Sequence, residues 1–297
     1  MNVGVSLRSG YDPATDPRTG ARWMVERARA ARAAGLASLF VGDHHATAPG
    51  VYYQNVVIVG RLLAEWDDHP AGALFLMPLW NPVLLAEQIG TLASIAAGRF
   101  VMQTAVGGGA EQFGAMGVPI RERAARFERG LATVRALLAG DEVDGARIAP
   151  VTPEPLEVWI GATAPPAIDR AARLGDAWLG NADGTPEAAR EQAETYRERC
   201  AAHGRVPATV AIRRDVHVGA DAADAERIAG PIVGGGYRGF HPDAFTYGGP
   251  EQVAARFREY AAMGYTDVIV RQLASEQADA LASIERLAEV RELVADA

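Results

Sequence analysis

The chain is 297 residues long, carries a formal net charge of −8 at pH 7, and draws all 29 of its basic residues from arginine. This length suits two ordinary domains or one large α/β barrel. The absence of lysine excludes Schiff-base aldolases, pyridoxal-phosphate enzymes and P-loop nucleotidases, each of which needs a lysine amine.

No run of like charge reads as a nucleic-acid arm, so a small-molecule partner is expected. The lone Cys200 leaves no disulfide framework and no thiolate zinc cluster, which fits a reducing cytoplasm. The N-terminus runs directly into "MNVGVSL" with no leader pattern, and no apolar stretch reaches ~18 residues. Neither secretion nor membrane insertion is expected.

In chain order, short Val-, Ile-, Leu- and Phe-rich runs alternate with longer Ala-, Arg- and Glu-rich segments of helical period. Strands are expected at 2–7, 38–42, 72–77, 99–105, 156–161, 176–180, 209–218 and 266–272. Helices are expected between and after them, near 20–34, 53–66, 82–97, 121–139, 165–174, 186–203, 250–263 and 276–294. Gly35, Gly175 and Gly264 each close a helix just before a strand. Two stretches, 140–155 and 231–249, are too rich in Gly, Pro and aromatics for plain helix and read as insertions. Eight β/α units predict one (β/α)8 barrel domain over 1–297, with its chemistry at the C-terminal ends of the strands.

The second strand end reads "FVGDHHAT". Asp43 and His44 are expected to face the mouth. Strand alternation turns the neighbouring His45 elsewhere. A metal site assembled from His44, His217 and His241 is a weaker alternative, since no strand-one pair of histidines and no H-E-x-x-H helix accompanies it. After strand four, "AVGGGAEQFG" offers either a tight turn or a loop approached closely by a ligand. In "VWIGATAPPAIDRAARLGD", Gly161, Ala162 and Thr163 lead into a helix whose free N–H groups suit a phosphate; equally, Thr163 simply caps that helix.

Taken in order, "GDHH", "NPVLLAEQIGTLASIAAGRFVMQTAVGGGAEQFGAMGVP", "VWIGATAPPAIDRAARLGDAWL" and "GGPEQVAARFREYAAMGYTDVIV" resemble the bacterial luciferase-like family across nearly the whole chain. The resemblance implies a (β/α)8 barrel that binds the deazaflavin coenzyme F420 or FMN. The "DH" after strand two looks most like the deazaflavin-dependent branch. It further implies a cytoplasmic homodimer that acts on a small organic substrate, with no nucleic acid, membrane or metal partner. Carried over residue by residue, Asp43 and His44 sit beside the reactive ring. A bulge with a non-proline cis peptide at Ala73 and Leu74 supports that ring from behind. Val106, Gly107 and Gly108, with Gly161, Ala162 and Thr163, hold the coenzyme's linker and phosphate. The family's alternating glycines after "GRF" are replaced here by Gln103 and Ala105. On this reading the chain transfers a hydride between F420 and substrate, His44 handling the proton and Asp43 orienting it. An FMN-dependent monooxygenase and a non-catalytic flavin-binding barrel are the other readings. Arg8, Arg213 or Arg214, and Arg271 are candidates for the coenzyme's acidic tail, and Tyr52, Tyr53, Trp80 and the 231–249 insertion for the substrate pocket.

Overall fold

The computed structural model describes residues 1–295. In chain order the elements are β1 (Asn2–Leu7), β2 (Gly10–Tyr11), α1 (Pro17–Ala33), β3 (Leu39–Val41), β4 (Val51–Tyr52), α2 (Asn55–Leu62), β5 (Ala71–Leu76), α3 (Pro82–Ile95), β6 (Phe100–Ala105), α4 (Ala110–Ala115) and α5 (Arg123–Leu138). They continue as β7 (Glu157–Gly161), α6 (Pro165–Leu174), β8 (Ala177–Gly180), α7 (Pro186–Ala202), β9 (Thr209–Val218), α8 (Ala222–Gly234), β10 (Thr246–Gly248), α9 (Pro250–Ala262), β11 (Asp267–Gln272) and α10 (Gln277–Ala295).

Eight strands follow the order β9-β11-β1-β3-β5-β6-β7-β8, and β8 pairs back onto β9, so the sheet closes as a (β/α)8 barrel. Its strands are buried almost without alternation, as in β3 and β6, because helices cover one face while side chains fill the other. No described helix is long and apolar enough to cross a membrane.

The chain divides into two compact units, one of Met1–Arg8, Trp23–Leu39 and everything from Trp159 onward, the other of Ser9–Arg22 and Phe40–Val158. In the second, α3 starts where Asn81 accepts hydrogen bonds from the Val83 and Leu84 N–H groups and Pro82 sets the first helical φ. Leu85, Ala86, Ile89, Leu92 and Ala93 then bury one face. A Cβ at Gly90 would overlap the Pro150 carbonyl, so glycine there lets the 140–155 insertion lie directly against α3.

In the first unit, β9 is long enough to serve two neighbours on one edge: Thr209 to Ile212 pair with β8, and Val216 to Val218 pair with β10. β10 is a ninth strand that sequence periodicity does not reveal. The 231–249 stretch is also more regular than expected, because α8 continues through Pro231 to Gly234 before two short 3₁₀ turns. Pro231 lies far enough into the helix to forfeit a backbone bond, yet burial of Ala225, Ala229 and Val233 keeps the helix going.

Candidate active site

β3 ends at Val41, and beyond it the strand's side-chain alternation no longer applies. Asp43 is buried at 7% exposure, a costly place for a carboxylate unless it is partnered. Its Oδ2 accepts from the Leu76 backbone N–H at the end of β5 and from the Trp80 indole N–H, each at 2.8 Å. Its other oxygen, Oδ1, lies 3.2 Å from His45 Nε2, at ion-pair distance but off the line of a hydrogen bond.

The histidine that lies against Asp43 is His45 rather than His44. His45 turns toward Asp43 with its side chain 12% exposed, while His44 is exposed and its ring rests 5.9 Å from that of Tyr52. The turn that achieves this includes Ala46 at φ 52°, a left-handed conformation that costs a non-glycine residue about 1 kcal/mol or more.

His45 is anchored on two further sides. Its backbone N–H donates to Gln112 Oε1 at 2.8 Å, and Gln112 Nε2 donates to the Gly108 carbonyl at 3.2 Å. Its ring meets Trp80 edge-on at 5.6 Å, and Trp80 in turn meets Phe75 at 5.5 Å. Gln112, on the short α4, thus ties the histidine turn to the glycine loop. Sequence reasoning missed it because six residues of helix carry no legible period; the available signal was a polar residue one turn beyond a glycine run.

The loop after β6 is open. Gly107 and Gly109 adopt positive φ, and a Cβ added at Gly108 or Gly109 would meet nothing within 4 Å. Val106 and Gly107 are half-buried and Gly108 is exposed. Among the buried polar atoms of the same unit without a hydrogen-bond partner in the described residues are Ser9 Oγ and Gln103 Nε2.

Ala73 is fully buried and Leu74 half-buried, and the expected cis bond is not among those of the described residues. β5 pairs with β6 in unbroken parallel register from Ala71 to Leu76, and the cis bonds among the described residues are Ala48–Pro49 and Ala149–Pro150.

The anion site expected at α6 is also altered. The helix is capped by Ala164 with no side-chain bond, so Thr163, though exposed, is not its cap. Pro165 and Pro166 occupy the first two positions and carry no N–H, and the Ala167 N–H is spent on the Ala164 carbonyl. Gly161 ends β7 opposite Leu179, and the Ala162 carbonyl accepts from the Trp178 indole. Of the metal alternative, no group of three or more His, Cys, Asp or Glu side chains suited to an ion occurs among the described residues. His217 is buried on β9, and His241 caps a 3₁₀ turn.

Residues 1–281 match the family model described as luciferase-like monooxygenase. An F420-dependent glucose-6-phosphate dehydrogenase of Beutenbergia cavernae is 29% identical over 197 residues, covering 58% of this chain and 56% of that protein. An FMNH2-dependent dimethylsulfone monooxygenase of Pseudomonas putida is 30% identical over 196 residues, covering 60% and 53%. The matches span 38% to 56% of the length of these and other curated relatives. Among solved structures, the monooxygenase RslO1 from Streptomyces bottropensis shares the fold at a TM-score of 0.83 and 18% identity, over 97% of this chain and 98% of that one.

Proposed function

The chain belongs to the luciferase-like monooxygenase family, and from that premise we propose that it is an oxidoreductase moving a hydride between coenzyme F420 and a small organic substrate. The observation that carries this reading is the buried Asp43 carboxylate held against His45 at 3.2 Å. A carboxylate beside an imidazole restricts how the ring turns, and an imidazole so placed is a candidate for exchanging the proton that accompanies hydride transfer.

The residues present fit a ring bearing carbonyl oxygens and ring nitrogens. Ser9 Oγ and Gln103 Nε2 are buried donors awaiting acceptors, and the Val106–Gly108 loop leaves space a Cβ would otherwise enter. In this reading Asp43 and His45 manage the proton, Trp80 holds Asp43 and walls the ring of His45, and His44 stands at the exposed edge beside Tyr52. Ala73 and Leu74 belong to the strand behind. The bound coenzyme supplies the hydride chemistry.

A second reading, a monooxygenase using reduced FMN, is favoured by the dimethylsulfone monooxygenase, which matches as closely as the F420-dependent relative. Titrating purified protein with F420 and with FMN, then following anaerobic hydride transfer and oxygen uptake, separates the two. Tighter F420 binding with transfer in the absence of oxygen supports the first; oxygen consumption with reduced FMN replaces it.

A further inference from the structure

On β9, Arg213 and Asp215 are two residues apart and so share a face of the strand, while Arg214 between them points the other way, its guanidinium donating to the Tyr260 hydroxyl at 2.8 Å and lying 4.8 Å from that ring. Arg271 on β11 stands opposite Asp215 in the parallel register, which brings it onto the face of Arg213. Arg238 arrives from the segment between α8 and β10 and donates to Asp215 Oδ2 at 3.2 Å. Two guanidinium groups therefore face one carboxylate, and the charge of a third, Arg271, acts on Arg213 beside them.

That carboxylate does not satisfy them. Arg213 Nε is 3.9 Å from Asp215 Oδ1, too far for a hydrogen bond, and Arg213 Nε and Nη2 are buried with no acceptor. Burial and the neighbouring Arg271 and Arg238 charges lower the Arg213 pKa to about 10 even with Asp215 beside it. An ion-pair network with a purely structural role would bring enough acceptors for its donors; a buried excess of positive charge is expensive without them.

Arg238 is also placed at a cost. It sits at φ 57° between Gly236 and Gly239, and its guanidinium lies 4.6 Å from the Phe240 ring. Phe240 stacks on Phe245 at 6.1 Å, and Tyr237 meets Phe245 edge-on at 5.9 Å. Phe245 belongs to a small apolar cluster with Ala229, Val233 and Leu273. The aromatic half of the 231–249 insertion thus braces one strained arginine over the end of β9, the kind of over-determined strain that accompanies ligand sites.

We propose that Arg213, Arg238 and Arg271 around Asp215 form a binding site for the phosphoryl group of a small molecule. A phosphate presents several acceptor oxygens to planar guanidinium forks, matching the unmet donors and the excess charge. It also relocates the phosphate site within this unit, since the α6 N-terminus has lost its free N–H groups to Pro165 and Pro166. The group comes from the coenzyme or from a phosphorylated substrate, and the site stands independently of the redox reading because its test needs no coenzyme.

The test is calorimetric titration of the full chain with inorganic phosphate at constant ionic strength, with chloride as the control. Saturable binding at one site is expected. Arg238→Gln, at a partly exposed position in a surface turn, and Arg271→Gln should each weaken it at least tenfold with unchanged circular dichroism. Thr163→Val should leave it within twofold. Asp215→Asn should tighten it several-fold, a gain that a merely structural ion pair does not predict. Displacement of phosphate by F420 assigns the site to the coenzyme, and simultaneous binding assigns it to the substrate; either keeps the site. Absence of saturable binding, dependence on Thr163 rather than Arg238, or weaker binding in Asp215→Asn overturns it.

Discussion

His45 Nε2 lies 3.2 Å from the buried Asp43 Oδ1, while His44, one residue earlier in the chain, is exposed beside Tyr52. The pair gives the site its polarity. Asp43 already accepts two hydrogen bonds on one oxygen, so its remaining oxygen is left facing the imidazole.

Asp43 should therefore have separable structural and functional roles. Asp43→Ala strands the buried Leu76 N–H and the Trp80 indole N–H, and should lower unfolding free energy by about 2–4 kcal/mol in urea titrations. Asp43→Asn keeps an acceptor for both donors and should fold with a smaller loss, yet drop turnover by roughly 10² because the charge facing His45 is gone. Equal stability losses in the two variants would count against this division.

The glycine loop separates coenzyme contact from stability. Gly108 has no positive φ, and a Cβ there meets nothing within 4 Å. Gly108→Val should change the melting behaviour little, corresponding to about 0.5 kcal/mol or less. Coenzyme affinity should nevertheless fall several-fold, because the side chain enters the open space beside the loop. Unchanged affinity would remove Val106, Gly107 and Gly108 from the coenzyme site.

His217 makes stability depend on pH. It is fully buried with both ring nitrogens unpartnered among the described residues, and burial lowers its pKa below the usual value despite the acidic pull of Asp279 and Asp224, with Arg286 and Arg227 opposing that pull. A base held neutral in the fold but protonated when unfolded contributes stability that is complete above about pH 6.5 and lost as pH falls toward the lowered folded value. Urea midpoints at pH 7.5 and 5.5 should fall further for the wild type than for His217→Asn. Parallel declines would show that His217 does not titrate with unfolding.

Much of the barrel was legible because the strands are buried runs bounded by glycines: all eight expected barrel strands lie within one residue of their observed limits. What escaped was either short or compositionally ambiguous. α4 is a single turn and a half, α8 mixes Ala, Gly and Pro, and β10 is three residues long. At the site, Asp43 was legible as a carboxylate at a strand end. That His45 also turns toward Asp43 was not legible, because alternation stops at Val41 and the chain enters a turn containing a left-handed Ala46. Trp80 was expected only as pocket lining, yet its N–H holds the carboxylate. Nothing in the sequence distinguished Arg213 from Arg214; a hydroxyl on α9 claims the latter.

The central claim is that His45, not His44, works with Asp43. The most direct measurement compares turnover and coenzyme affinity of His45→Ala and His44→Ala with the same substrate. His45→Ala should lose roughly 10² or more in turnover at coenzyme affinity within a few fold of wild type, and His44→Ala much less. A large loss confined to His44→Ala would contradict it.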